Sequence, residues 1–465
     1  MRKLLSRLKG LLSGASEFID RYELLKYAVA AMILAIPIYP KFPFISVPGT
    51  YVSIRMEDFM ILLVVGIWAV RSAADLESVL RNRAGRAIIL FWVVTLVSLV
   101  SAIFLTKTVD YQVGILHWVR RVEYMIMFFI GVSSVRSRKD LEFYMKTIFV
   151  VIAVVFVFGV GQKFFNWPII TTQNQEYSKG VALRYMPGGH LPATFAGHYD
   201  LAAYIILTSP MLFALCFSDL FKDLKIKGFI LVFILMSFWL LIETVSRTSI
   251  VSYVISVTIA LFLIKKKRII PIFWAISLIW AGMSQDLIGR YVSILEVILR
   301  KAKLMFLPRP LYAQELTAEI AQAAAPSPTP VPVLEDRSSS IRFNIEWPRA
   351  IRALTKNPLM GTGFSSITLA TDNDYLRMLG EVGVTGFLAF ALIFKRLVHP
   401  VFMKLKSLDL KNPADLFFIS MVSVLPGIFL VAVFIDIFES SKFAIMFWLM
   451  LGFAVSTLKN EKSAV

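Results

Sequence analysis

Asp372, Asn373 and Asp374 stand together in "TDNDYLRMLGEVGVTG", residues 371–386, directly before a run that otherwise reads as a membrane-crossing helix. A charge next to hydrocarbon is costly and must find a partner, water or a function. A carboxylate there can act as general base towards a hydroxyl, with its neighbours orienting the reacting group. Aspartate and asparagine are also good helix N-caps, so Asp372 and Asn373 serve equally well as the start of the helix that follows. Upstream, "SIRFNIEWPRAIRALTKNPLMGTGF" places Arg342 just ahead of a short helix expected near 348–356, begun by Pro348 and stopped by "KNPLMGTG". Arg349 and Arg352 lie on that helix. The planar guanidinium fork suits phosphate oxygens, and the same residues also read as solvated charges of a loop.

Other charges fall inside or at the ends of apolar runs: Arg120, Arg121 and Glu123 together, Glu243 and Arg247 across a short turn, and Glu381 further along the run that Asp374 opens. The simplest expectation is internal pairing, Glu243 with Arg247 and Arg121 with Glu381. His190 and His198 lack companions at ligand spacing, so no metal site and no cofactor are expected. Gly380, Gly383 and Gly386 are expected to permit close helix packing.

The elements that must carry these residues are membrane helices. The chain has 465 residues, 57% hydrophobic and 17% charged, with mean hydropathy +0.72, beyond the range of ordinary soluble domains. Runs long enough to cross hydrocarbon recur near 27–44, 56–72, 87–105, 113–133, 143–165, 197–217, 228–244, 248–264, 269–284, 376–394, 415–435 and 442–457. The expected fold is therefore all-α and polytopic, with about twelve transmembrane helices. The net charge of +18 falls in clusters between the runs and not on one soluble face, so it reads as topology and not as nucleic-acid binding. With the N-terminus inside, the cytoplasmic segments hold 28 Lys and Arg and the short outer segments 8, which places both termini in the cytoplasm.

Four regions follow. Residues 1–26 form a basic amphipathic segment with no cleavage site, read as an interfacial helix. Residues 27–284 carry nine spans and an outer segment at 166–196 that holds Arg184 and His190. Residues 285–375 form a large extracytoplasmic loop with the Pro-rich insert "APSPTPVPVLEDRSSS", read as a flexible flap, and 376–465 carry the last three spans. The single Cys216 lies in an apolar run and excludes a disulfide within the chain.

In this order the pieces resemble a family. Asp372-Asn373, nine residues and then Gly383-Val384-Thr385-Gly386 is similar to the signature of the O-antigen ligase and O-antigen polymerase superfamily, in which a His occupies the place of Asp372. "TFAGHYDLAAYI", "SRTSIVSYV" and "IRFNIEWPRAIRALTKNPLMGTG" fit in the same order, so the resemblance covers roughly residues 190–390. It implies a glycosyltransferase that moves a glycan from a polyprenyl diphosphate carrier to a glycan or lipid acceptor hydroxyl. The reaction would run on the outer side of a bacterial cytoplasmic membrane, in cell-surface polysaccharide biosynthesis. Carried over residue by residue, Arg247 and Arg342 fall on the arginines that bind the diphosphate, and Asp372 on the base with Asn373 beside it. Arg184, Arg349 and His198 join them as candidate substrate contacts. The competing class is a transporter or lipid flippase built around Arg120, Arg121, Glu123 and Glu381, which leaves the arginines of the outer loop without a role.

Overall fold

The computed structural model of the chain describes residues 14–21, 23–39, 43–48, 50, 53–73, 82–169, 183–184, 190–283, 341–367 and 370–458. The segment before residue 14, most of 166–196 with the Arg184 side chain, and the Pro-rich insert lie outside the described residues. Helices dominate: α1 Leu24–Ile38, α2 Met56–Ser72, α3 Arg83–Ser101, α4 Tyr111–Ser134, α5 Arg138–Phe165, α6 His198–Phe217, α7 Leu224–Glu243, α8 Arg247–Leu263 and α9 Ile269–Met283. After these come α10 Trp347–Lys356, α11 Asp374–Leu405, α12 Pro413–Val431 and α13 Ser441–Thr457. A π turn, Ala102–Thr106, extends α3, and a second, Arg342–Glu346, leads into α10, so the short helix expected from Pro348 starts one residue earlier. Two antiparallel ribbons complete the described residues: β1 Pro43–Ser46 with β2 Ser53–Arg55, and β3 Pro168–Ile169 with β4 Leu183–Arg184.

Polar residues at the ends of apolar runs set the boundaries. Asn82 caps α3 through the amide of Ala84 at 2.9 Å, Asp110 caps α4 through Gln112 at 2.9 Å, and Ser137 with Asp140 forms a reciprocal box at the start of α5. Six of the described helices, counting α3 with its π turn, are long and apolar enough to cross a membrane: α3, α5, α6, α7, α11 and α12. Most of α1, α8, α9 and α13 is apolar but shorter. The chain is thus a multi-pass helical membrane protein. Of the twelve expected spans, α2 and α4 fall outside both groups: α2 carries Glu57, Asp58 and Arg71, and Arg120, Arg121 and Glu123 interrupt α4.

The centre is α6, almost entirely buried and packed by α7, α8 and α12. Small residues let backbones approach elsewhere. A Cβ on Gly452 of α13 would lie 3.0 Å from Val132 N of α4, and one on Gly427 of α12 would lie 2.7 Å from Ser252 O of α8. Successive helices run in opposite directions. Lys442 at the start of α13, fully buried, donates to Thr194 O at 2.7 Å and to Pro37 O at the end of α1 at 3.1 Å. Lys163 at the end of α5 meets Glu243 at the end of α7 at 2.5 Å. These ends gather on one side, and the Lys404–Asp415 pair at 2.9 Å ties α11 to α12 on the other.

Candidate functional site

At the gathered end, the segment 371–374 is gripped by the turn between α12 and α13. Asp436 accepts from the amides of Thr371 at 2.8 Å and Asn373 at 3.0 Å, one on each side of Asp372, and from Arg377 Nη1 at 2.9 Å. The amide of Asp374 donates to Ala432 O at 2.9 Å. The Asp374 carboxylate in turn accepts from Ile437 N at 2.8 Å and Phe438 N at 3.2 Å. Between these anchors Asp372 takes a left-handed backbone, φ 48°, a conformation that aspartate tolerates better than most side chains.

The consequence is a carboxylate aimed away from the helix. Asn373, not Asp372, caps α11, its Oδ1 accepting from Leu376 N at 2.9 Å. The capping alternative for Asp372 is therefore corrected: the carboxylate leaves the helix axis and meets Arg342, whose Nε lies 2.9 Å and Nη2 2.8 Å from Asp372 Oδ2. Both nitrogens go to one oxygen, and Oδ1 has no donor among the described residues. Burial lifts the Asp372 carboxyl above its ordinary value, and the Arg342 charge only partly offsets the lift.

Three more elements close around this pair. Tyr199, in the first turn of α6, lies close enough to Arg342 to interact with its charge. The Tyr199 ring stands against His198, and the His198 ring stacks on His190 with centroids 4.2 Å apart. Glu346, on the same π turn as Arg342, is pushed up to about 7, first by burial and then by the Asp372 charge. The sequence offered Glu346 and Tyr199 only as unremarked letters inside longer stretches. Asp436 read as nothing more than an acid just past the end of an apolar run.

Behind the site α11 is broken. Gly383 has φ 69° and ψ −175°, and the 358–363 segment fills the gap in the helical ladder. Thr362 N donates to Gly380 O at 2.9 Å and Gly363 N to Glu381 O at 2.7 Å, while Val384 N reaches Pro358 O at 2.9 Å and Thr385 N Leu359 O at 3.2 Å. The carbonyls and amides released by the break are thus bonded again. Gly380 serves packing, since a Cβ there would lie 2.9 Å from Ala350 O of α10, and Gly383 both admits the 358–363 backbone, where a Cβ would lie 2.6 Å from Gly361 N, and breaks the helix.

The internal charges pair differently from the expectation. Arg121 pairs with Glu439 and donates to Phe438 O at 2.8 Å, Glu381 lies 3.5 Å from Arg377, and Glu243 takes Lys163 in place of Arg247. Arg120 reaches Asp58 at 3.4 Å. Arg121, Arg377, Glu381 and Glu439 line a pocket with room for a few waters. Of the candidate residues, Asp372, Asn373, Arg342 and Arg349 gather at the head of α10 and α11, and Tyr199 brings His198 to the same place. Arg247 opens α8, half-buried, one residue after Ser246, whose hydroxyl donates to Ser249 at 2.7 Å. Arg184 pairs by its backbone with Pro168.

The family model described as O-Antigen ligase matches residues 231–391, a stretch that takes in Arg247, the Arg342 turn, Asp372 and the break in α11. No curated protein matches the chain.

Proposed function

We propose that the chain, whose residues 231–391 match the O-antigen ligase family model, acts in glycan biosynthesis at a membrane and transfers a glycan from a polyprenyl diphosphate carrier to an acceptor hydroxyl at the end of the bundle where Asp372 and Arg342 meet. In the proposed step Asp372 Oδ1 takes the proton of the acceptor hydroxyl as its oxygen attacks the anomeric carbon. The bond from that carbon to the diphosphate oxygen breaks, and the electron pair leaves with the polyprenyl diphosphate. Arg247 and Arg342 carry the departing charge, with Arg184 and His198 as further contacts to the carrier.

The observation that carries the reading is the Arg342–Asp372 pair, 2.8 Å, in which the carboxylate is held by one oxygen and burial makes it a stronger base than an exposed aspartate. This offsets part of the gap of about 2.5 pKa units between aspartate and the family's histidine. The competing reading as a transporter or flippase drew on charges within the helices. Arg120, Arg121 and Glu381 each have an opposite charge close by, which favours transfer over a charged transport cavity; Glu123, the fourth charge of that reading, makes no ion pair within 4.0 Å among the described residues.

The test is incubation of purified protein with a polyprenyl-diphosphate oligosaccharide and acceptor glycan, following released polyprenyl diphosphate and the lengthened or transferred glycan. Wild-type protein should release both products together, and Asp372→Asn, which keeps shape but cannot take the proton, should turn over about 10²–10⁴-fold more slowly. Near wild-type rates in Asp372→Asn would remove the base assignment.

A further inference from the structure

Glu346 and Arg349 lie three residues apart at the start of α10, a spacing at which an acid and a base on a helix ordinarily pair. They do not pair here within 4.0 Å. Glu346 Oε2 and Arg349 Nη1 are each buried, and neither has a hydrogen-bond partner among the described residues. One is an acceptor and the other a donor, and leaving both unmet costs free energy that a suitable ligand would remove. Arg342, four residues before Glu346 on the same turn, is committed to Asp372 at 2.8 Å. Glu346 thus stands one turn along from the residue that holds the base, on the element that carries both.

The chemistry of the two atoms selects the ligand. A diphosphate would satisfy Arg349 but would leave Glu346 Oε2 without a donor and meet its repulsion. A saccharide carries adjacent hydroxyls, each able to donate to a carboxylate and accept from a guanidinium. Hydroxyls bound there would lie one turn along from Arg342 and its partner Asp372, where an acceptor must be. We propose that Glu346 and Arg349 form the subsite that grips one saccharide ring of the acceptor, Glu346 Oε2 accepting from one hydroxyl and Arg349 Nη1 donating to its neighbour. The assignment to the acceptor rests on the transfer reading above; the binding of a saccharide does not.

Two readouts keep these apart. In the first, surface-glycan fragments extracted from the producing cells and tritium-labelled are bound by equilibrium dialysis to the full chain in nanodiscs, without donor. Wild-type protein should bind saturably, and Glu346→Gln and Arg349→Gln should each weaken binding roughly tenfold or more, in protein whose thermal unfolding shows it folded. Absence of wild-type binding, or unchanged binding in both variants, overturns the subsite. In the second, transfer kinetics with polyprenyl-diphosphate oligosaccharide are followed. The KM for acceptor should rise in Glu346→Gln while the KM for donor stays fixed, and equal movement of both overturns the assignment to the acceptor. Saturable binding that the two variants weaken, in a wild type without turnover, supports the subsite and overturns transfer instead.

Discussion

Arg342 has a fork of nitrogens, and at least two of them serve a single oxygen of Asp372. Lysine would keep the charge and lose the geometry, so Arg342→Lys is expected to lower transfer at least about tenfold while protein levels in the membrane hold. Transfer assays at matched levels decide this, and full activity would take the fork out of the site. Glu346 gives a pH prediction with a definite sign. Its ordinary value of 4.5 rises to about 7 in the folded chain, so between those values the folded state binds more protons than the unfolded one, and stability falls as pH rises through the window. Glu346→Gln removes this dependence. The melting temperature of the variant minus that of wild type should therefore grow from pH 5 to pH 8, and a difference that stays flat would show Glu346 ionising like an exposed acid. At this scale Asp372 was legible as a candidate from residue type, and Arg342 from the family resemblance. Glu346 and Tyr199 were not, because an acid in a loop and an aromatic in an apolar run carry no mark of the partners that folding gives them.

The glycines of 380–386 act on elements. Gly383 breaks α11 so that the 358–363 segment can bond into it, and its φ of 69° excludes most side chains. A Cβ there would lie 2.6 Å from Gly361 N, against backbone that cannot step aside. Gly383→Ala is expected to cost about 3 kcal/mol or more from strain and overlap together. Gly228→Ala on α7, where a Cβ meets nothing within 4 Å, should be neutral or slightly stabilising. Thermal unfolding of the two variants compares them directly, and a mild effect at Gly383 would mean that the break is not needed. Asp436 acts at the same scale, because its carboxylate fixes the backbone on both sides of Asp372. The helix after Asp374 was readable from apolar periodicity, but the break inside it was not, since a positive φ leaves the hydrophobic pattern untouched. The turn that grips residues 371–374 comes from a segment more than sixty residues away in sequence, and no local pattern announces it.

The whole molecule is an array of alternating helices whose chemistry-bearing residues collect at one end, and its orientation comes from charge. The segments at the opposite end carry most of the Lys and Arg, and we propose from the positive-inside rule that they face the cytoplasm and that Asp372 and Arg342 face outward, where a lipid-linked glycan would be met. The multi-pass helical class was legible because hydrocarbon thickness imposes a run length on every span. The assignment of α4 was harder, since its charges find partners only once α2 and the turn after α12 are in place. Cysteine labelling tests the orientation at described positions. After Cys216, buried in α6, is changed to serine, Thr355→Cys on the exposed face of α10 and Ser407→Cys, exposed just beyond α11, are compared in intact spheroplasts with an impermeant maleimide. Thr355→Cys should label at once, and Ser407→Cys only after the membrane is opened. The reverse pattern would place the site in the cytoplasm, out of reach of an outward-facing glycan, and labelling of both in intact spheroplasts would mean that α11 does not cross the membrane.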